Sequence, residues 1–196
     1  SIRIRRGARV GFVAQEAPQI DDPVLEFVLA ADEELAALTA EAETATDPYR
    51  IADIHTRLAE IDAYSAEARA SAILVGLGFQ QNELRRPCRE FSGGWRMRAA
   101  LAGVLFSQPD LLVLDEPTNY LDLEGAAWLE DYLVRYPHTV VVVSHDREML
   151  NRSVTHVLAL DDKKLEIHVG GYDAYLRKRA ERAALQGALK TKQDAH

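Results

Sequence analysis

Residues 111–122 read Leu-Leu-Val-Leu-Asp-Glu-Pro-Thr-Asn-Tyr-Leu-Asp. Leu111 to Leu114 form a short apolar run that stops at two carboxylates, Asp115 and Glu116. Such a run predicts a strand buried on both faces, the kind found inside a parallel sheet. Open α/β sheets bind ligands at the carboxyl ends of their strands, which is where the two acids fall. One carboxylate there can hold a metal ion, directly or through water, and the other can polarise an attacking water. Pro117 blocks regular continuation and fixes the following turn. Alone, the pair could equally be a polar turn after a core strand, so its surroundings decide.

Two further stretches carry chemistry. Residues 91–98 read Phe-Ser-Gly-Gly-Trp-Arg-Met-Arg, and helical periodicity runs from Trp95 to Phe106. Serine and two glycines opening a helix present free backbone amides and a favourable dipole to an anion, and glycine lets backbone approach a phosphate closely. Residues 139–146 read Thr-Val-Val-Val-Val-Ser-His-Asp. Val140 to Val143 predict a second wholly apolar strand, with Ser144-His145 at its end.

In this order and spacing the three stretches resemble the second half of an ABC-type ATPase domain. The resemblance implies an α/β fold with a P-loop NTPase-like parallel sheet core, using ATP and Mg. Asp115 then matches the Walker B aspartate, and Glu116 the catalytic glutamate. Ser92, Gly93 and Gly94 match the signature motif, which acts in trans on a nucleotide held by a partner domain. His145 matches the switch histidine, and Asp122 the D-loop aspartate that couples two nucleotide sites. Gln15 matches the Q-loop glutamine, which reaches magnesium and the attacking water; Asp115 and Gln15 are the implied magnesium ligands.

A P-loop requires Gly-x-x-x-x-Gly-Lys followed by Ser or Thr, and no glycine here is followed by lysine. The resemblance begins just after the family's P-loop and its helix. The expectation is therefore an incomplete core, a piece of a longer polypeptide that binds ATP poorly alone.

The variants Asp-Glu-Pro-Thr-Asn-Tyr-Leu-Asp and Phe-Ser-Gly-Gly-Trp-Arg-Met-Arg resemble the ABC-F branch more than membrane-transporter ATPases. So does Gly-Gly-Tyr-Asp-Ala-Tyr-Leu-Arg-Lys-Arg at 170–179, which is similar to the segment entering that branch's interdomain linker. The branch implies two ATPase domains in one chain, a helical arm inserted before the signature motif, and action on the ribosome and tRNA in translation. A transporter's ATPase subunit and a non-enzymatic docking or dimerisation module are the alternatives. Tyr120 stands where many members carry histidine.

The rest of the chain is consistent with this frame. It has 196 residues, 47% hydrophobic and 28% charged, with no apolar run near the roughly 20 residues of a membrane span. One cysteine, Cys88, cannot form an internal disulfide and suits a reducing, cytoplasmic setting. A net charge of −8 argues against a general DNA binder. The charge is uneven: residues 22–69 hold twelve acids and three bases, whereas residues 173–196 hold six bases and three acids.

Four segments are expected. Residues 1–21 form a hairpin, with Ile2 and Ile4 alternating before a Gly7-Ala8 turn and a strand from Val10 to Ala14, and then the Q-loop. Residues 22–90 form a helical subdomain. In it, Val24, Leu25, Val28, Leu29, Leu35, Leu38 and Ala42 share one helical face, Thr44 to Pro48 breaks the pattern, and Ile54, Leu58 and Ile61 resume it in an antiparallel partner. A helix over Ser71–Phe79 and a polar loop over Asn82–Glu90 follow. Residues 91–171 hold the signature motif, both strands, a helix over Glu124–Arg135 and two closing strands around an Asp161–Lys164 turn. Residues 172–196 begin a basic linker helix.

Overall fold

The computed structural model describes residues 5–14, 20–161 and 163–194. The chain divides into two compact units, Ser1–Leu129 with Tyr136–Val143, and Glu130–Arg135 with Ser144–His196.

The first unit holds a three-stranded parallel sheet, in the order β1 (Val10–Phe12), β2 (Leu111–Asp115), β3 (Thr139–Val143). Parallel strands need long crossovers. Between β1 and β2 the crossover is a whole helical subdomain. Leu112 and Leu114 of β2 are buried, while Leu111 and Val113 are half-buried.

The expected apolar strand at Val140–Val143 is present as part of β3. Val141 and Val143 are 40% and 55% exposed. Thr139, Val141 and Val143 share one face of β3 and are exposed, whereas Val140 and Val142 on the other face are half-buried.

Helices fill the β1–β2 crossover. The first apolar stripe, expected as one continuous helix, is two: α1 (Val24–Leu29) and α2 (Glu33–Thr44). Asp32 explains the break. Its backbone is extended and its carboxylate accepts a 3.1 Å hydrogen bond from the Leu35 amide, which caps a new helix. The break lets α1 turn into the core, where Val24 and Val28 are wholly buried and the helix packs on α4 (Ala66–Gly76) and α5 (Gly93–Phe106).

Helix α2 instead pairs with α3 (Pro48–Glu60) as a helical hairpin. Its connection falls at the expected Thr44–Pro48 break. There Asp47 accepts from the Tyr49 amide at 3.1 Å, and Pro48 opens α3, where its missing N–H costs nothing. Leu35, Ile54 and Leu58 close the seam, and burying each contributes about 1.5–3 kcal/mol. Arg50 bonds Glu41 through both carboxylate oxygens at 2.6 and 2.7 Å, and Arg57 reaches Glu34 at 2.6 Å.

The remaining helix of the subdomain, α4, starts five residues before the expected Ser71 and ends at Gly76. The 82–90 segment is not plain loop. It contains short 3-10 turns at Gln81–Glu83 and Cys88–Glu90, and Cys88 is wholly buried.

Helix α6 (Leu123–Val134) follows β2 and passes from the first unit into the second. The second unit also holds α7 (Arg147–Arg152), an antiparallel pair β4 (His156–Asp161) and β5 (Lys164–Val169), and α8 (Tyr172–Asp194). The pair matches the two expected closing strands, and α8 the expected basic helix.

Candidate nucleotide site

Asp115 is the last residue of β2 and stands opposite Val143, the last residue of β3. The two strands therefore end level. The Glu116 amide donates to the Val143 carbonyl at 2.8 Å, which holds the first residue beyond the strand against its neighbour. Glu116 itself sits at φ 46°, ψ 52°, a left-handed conformation costly for a residue with a Cβ. Such a conformation costs on the order of 1–3 kcal/mol and persists where the surroundings over-determine it. Here they are the Val143 bond on one side and the buried Pro117 on the other. A 3-10 turn at Pro117–Tyr120 follows, and its Asn119 amide bonds the Glu116 carbonyl at 3.1 Å.

A cavity of about 650 Å³ opens beside this turn. Phe12 and Ala14 line it from β1 and just beyond, Arg98 from α5, and Asp115, Glu116 and Tyr120 from the β2 end. Asp115 is exposed and Glu116 half-buried. Gln15 lies outside the described residues, as the next residue after Ala14.

Ser92 caps α5 by backbone geometry alone, because its hydroxyl makes no capping hydrogen bond. The first helix amides thus face outward at an exposed Ser92-Gly93 corner. Among the described residues, a Cβ at Gly93 or Gly94 would meet nothing within 4 Å, so their packing does not require glycine at either position. Asp122 is exposed on the far side of the 3-10 turn. The Gly125 amide donates to it at 2.9 Å and Arg98 at 3.1 Å, and the two bonds, in that order, hold its carboxyl below the usual range. Among the described residues, the cavity brings together Asp115 and Glu116 but not Ser92, Gly93, Gly94 or Asp122.

His145 belongs to the second unit and is exposed. It follows Ser144, whose hydroxyl accepts from the Asp146 amide at 3.0 Å. Asp146 in turn caps α7, accepting from Glu148 and Met149 amides at 2.9 and 3.2 Å. His145 is thus the one residue between a hydroxyl bond and a helix cap, which fixes the backbone that carries it.

Magnesium is bound by one or two carboxylates together with phosphate oxygens and waters, not by an all-protein cage. An exposed Asp115 at a cavity rim suits that mode. Among the described residues no group of three or more His, Cys, Asp and Glu side chains is gathered as a metal site.

Sequence reasoning missed Arg98. The available signal was its place three residues after Trp95 on the same helical face, within a stretch already singled out.

The parallel sheet and the helices around it form an α/β fold of the P-loop NTPase-like kind found in ABC ATPase domains. The chain belongs to the ABC transporter family, whose model matches residues 3–119. It is 43% identical over 184 residues to the probable ATP-binding protein YheS of Haemophilus influenzae, covering 92% of this chain and 29% of that protein. It is 42% identical over 193 residues to human ATP-binding cassette sub-family F member 3, covering 93% of this chain and 27% of that protein. The chain therefore spans less than a third of these curated relatives. The ABC-F resemblance read from the sequence is borne out by them.

The fold is also similar to the ATP-binding cassette MJ0796, solved as a dimer in a post-hydrolysis state bound to ADP and Pi. That match has a TM-score of 0.53 and 21% identity, and covers 83% of this chain and 63% of that one. Among the described residues no helix is long and apolar enough to cross a membrane.

Proposed function

We propose that this chain is the water-activating part of an ATP-hydrolysing ABC-F domain, working in the cytoplasm on the ribosome and tRNA during translation. The observation that carries the hydrolytic reading is the level ending of β2 and β3, with Glu116 held in a left-handed conformation at the rim of a 650 Å³ cavity. A strained acid at a strand end is the kind of geometry that function maintains.

In this reading Glu116 orients and polarises the attacking water. Asp115, with Gln15, would help hold magnesium, which would supply positive charge to the phosphates. His145, two residues past β3, hydrogen-bonds the γ-phosphate. Ser92, Gly93 and Gly94 present backbone amides to a nucleotide held by the second ABC domain of the same whole protein. Glycines that no packing among the described residues requires fit a surface that something else approaches. Asp122 couples the two sites.

No Gly-Lys pair is present to start a phosphate cradle, so the 196-residue chain alone is expected to bind ATP weakly and to be inactive. The ribosomal role rests on the ABC-F resemblance, and the acidic hairpin α2–α3 is the arm of that resemblance.

The test is Glu116→Gln in the whole protein. ATP should remain bound while turnover falls by about a hundredfold or more. Turnover at the normal rate would remove Glu116 from the chemistry.

A further inference from the structure

Arg98 is nearly buried, with its side chain 11% exposed, and it bonds three residues on two separate pieces of chain. Its Nε donates to the Tyr120 carbonyl at 2.5 Å. Its Nη1 donates to the Leu77 carbonyl at 3.0 Å and to Asp122 Oδ2 at 3.1 Å. The flat face of the guanidinium covers the Trp95 ring at 4.3 Å from the centroid. Trp95 meets Phe79 edge to face at 4.9 Å, and Phe79 meets Phe91 in the same way at 5.5 Å.

Room for the guanidinium is built in. A Cβ on Gly78 would stand 2.7 Å from Nη1, and Gly78 also adopts φ +101°, which disfavours any other residue. A cation this deep is tolerated because its donors are matched by two carbonyls and a carboxylate.

These contacts bridge two parts of the proposed machinery. Trp95 and Arg98 lie in the first turns of α5, whose start presents the Ser92–Gly94 amides. Tyr120 and Asp122 bracket the end of the turn that Glu116 begins. We propose that Arg98 is a positioning residue that fixes the Glu116–Asp122 segment relative to the α5 amides through its bonds to Tyr120 and Asp122. This rests on the hydrolytic reading of Asp115 and Glu116 given above. Arginine is needed for its shape: a planar fork can serve Tyr120, Leu77 and Asp122 while stacking on an indole, whereas lysine is a point charge without that face.

The experiment measures ATP turnover by the whole protein carrying Arg98→Lys, Arg98→Met, Asp122→Asn, or Arg98→Lys with Asp122→Asn. Glu116→Gln runs in parallel, and melting temperature and bound ATP are recorded for each. Arg98→Lys should fold, keep KM for ATP within about twofold and lose about tenfold or more in kcat. Arg98→Met should lose more, so that lysine is a partial rescue. The double variant should fall well short of the product of the single effects, because both singles break the same link.

Unchanged kcat in Arg98→Lys and Arg98→Met, beside an inactive Glu116→Gln, would overturn the role of Arg98 alone. Independent, multiplying effects of Arg98→Lys and Asp122→Asn would also overturn it, as would losses that vanish once activity is expressed per folded, ATP-binding molecule. Normal turnover in Glu116→Gln would overturn this proposal and the hydrolytic reading together.

Discussion

The amide of Glu116 donates to the carbonyl of Val143 across 2.8 Å, one step past the last paired residues of two parallel strands. These two strands of the first unit therefore end level. His145 comes one residue after Ser144. If it holds the γ-phosphate, His145→Ala in the whole protein should leave ATP binding near normal and lower kcat by about 10²–10³-fold, the usual cost of one well-placed transition-state donor. Single-turnover hydrolysis measures this, and an unchanged rate constant would exclude the role.

Trp128 packs against Gly76 so closely that a Cβ at 76 would lie 2.0 Å from its Cε2. The contact joins the end of α4 to α6 within the first unit. Gly76→Ala should therefore destabilise the protein by about 1–3 kcal/mol through overpacking. Trp128→Leu placed behind it should recover part of the loss. Urea unfolding of the single and double variants reads both effects.

Surface ion pairs add a small contribution to the helical hairpin. Hydrogen bonds from Arg57 and from Arg50 hold Glu34 and Glu41 below the ordinary carboxyl value of 4.5. The sign follows from linkage. Each acid binds its proton less readily folded than unfolded, so its contribution is complete above about pH 4.5 and fades as pH falls through the lowered folded values. Carboxyl titration by NMR should place both acids below their unfolded values, and α2–α3 contacts should loosen only in that acid window. Arg50→Gln should bring Glu41 back toward 4.5, and Arg57→Gln should do the same for Glu34. Both pairs are exposed, so added salt should weaken them.

Some of this architecture was legible in the residues. Leu111–Asp115 forms the expected strand because a short leucine run ending in two acids has few other solutions. Ser92-Gly93-Gly94 opens α5 where expected, and Thr44–Pro48 separates two helices because Asp47 and Pro48 are start signals.

The misses have physical causes. The spacing of Val24 to Ala42 suits one helix, but the Asp32 carboxylate captures the Leu35 amide and starts a second. Val140–Val143 forms the expected apolar strand, yet an apolar run cannot say whether another layer covers each of its faces, and here Val141 and Val143 stay exposed. Cys88 lies in a polar stretch that gives no sign of burial. It is wholly buried, and desolvation pushes its thiol up to about 11. Glu116's left-handed backbone and Arg98's several bonds are tertiary products that no local pattern announces.

The central claim is that the acids after β2 and the imidazole after β3 serve one phosphoryl group. A structure of the whole protein carrying Glu116→Gln, solved with Mg-ATP, measures this directly. His145 should then lie within about 3 Å of a γ-phosphate oxygen, with the residue 116 side chain at similar reach of that phosphate or of the water in line with it. A γ-phosphate contacted by neither side chain, with the two at opposite edges of the sheet, would contradict it.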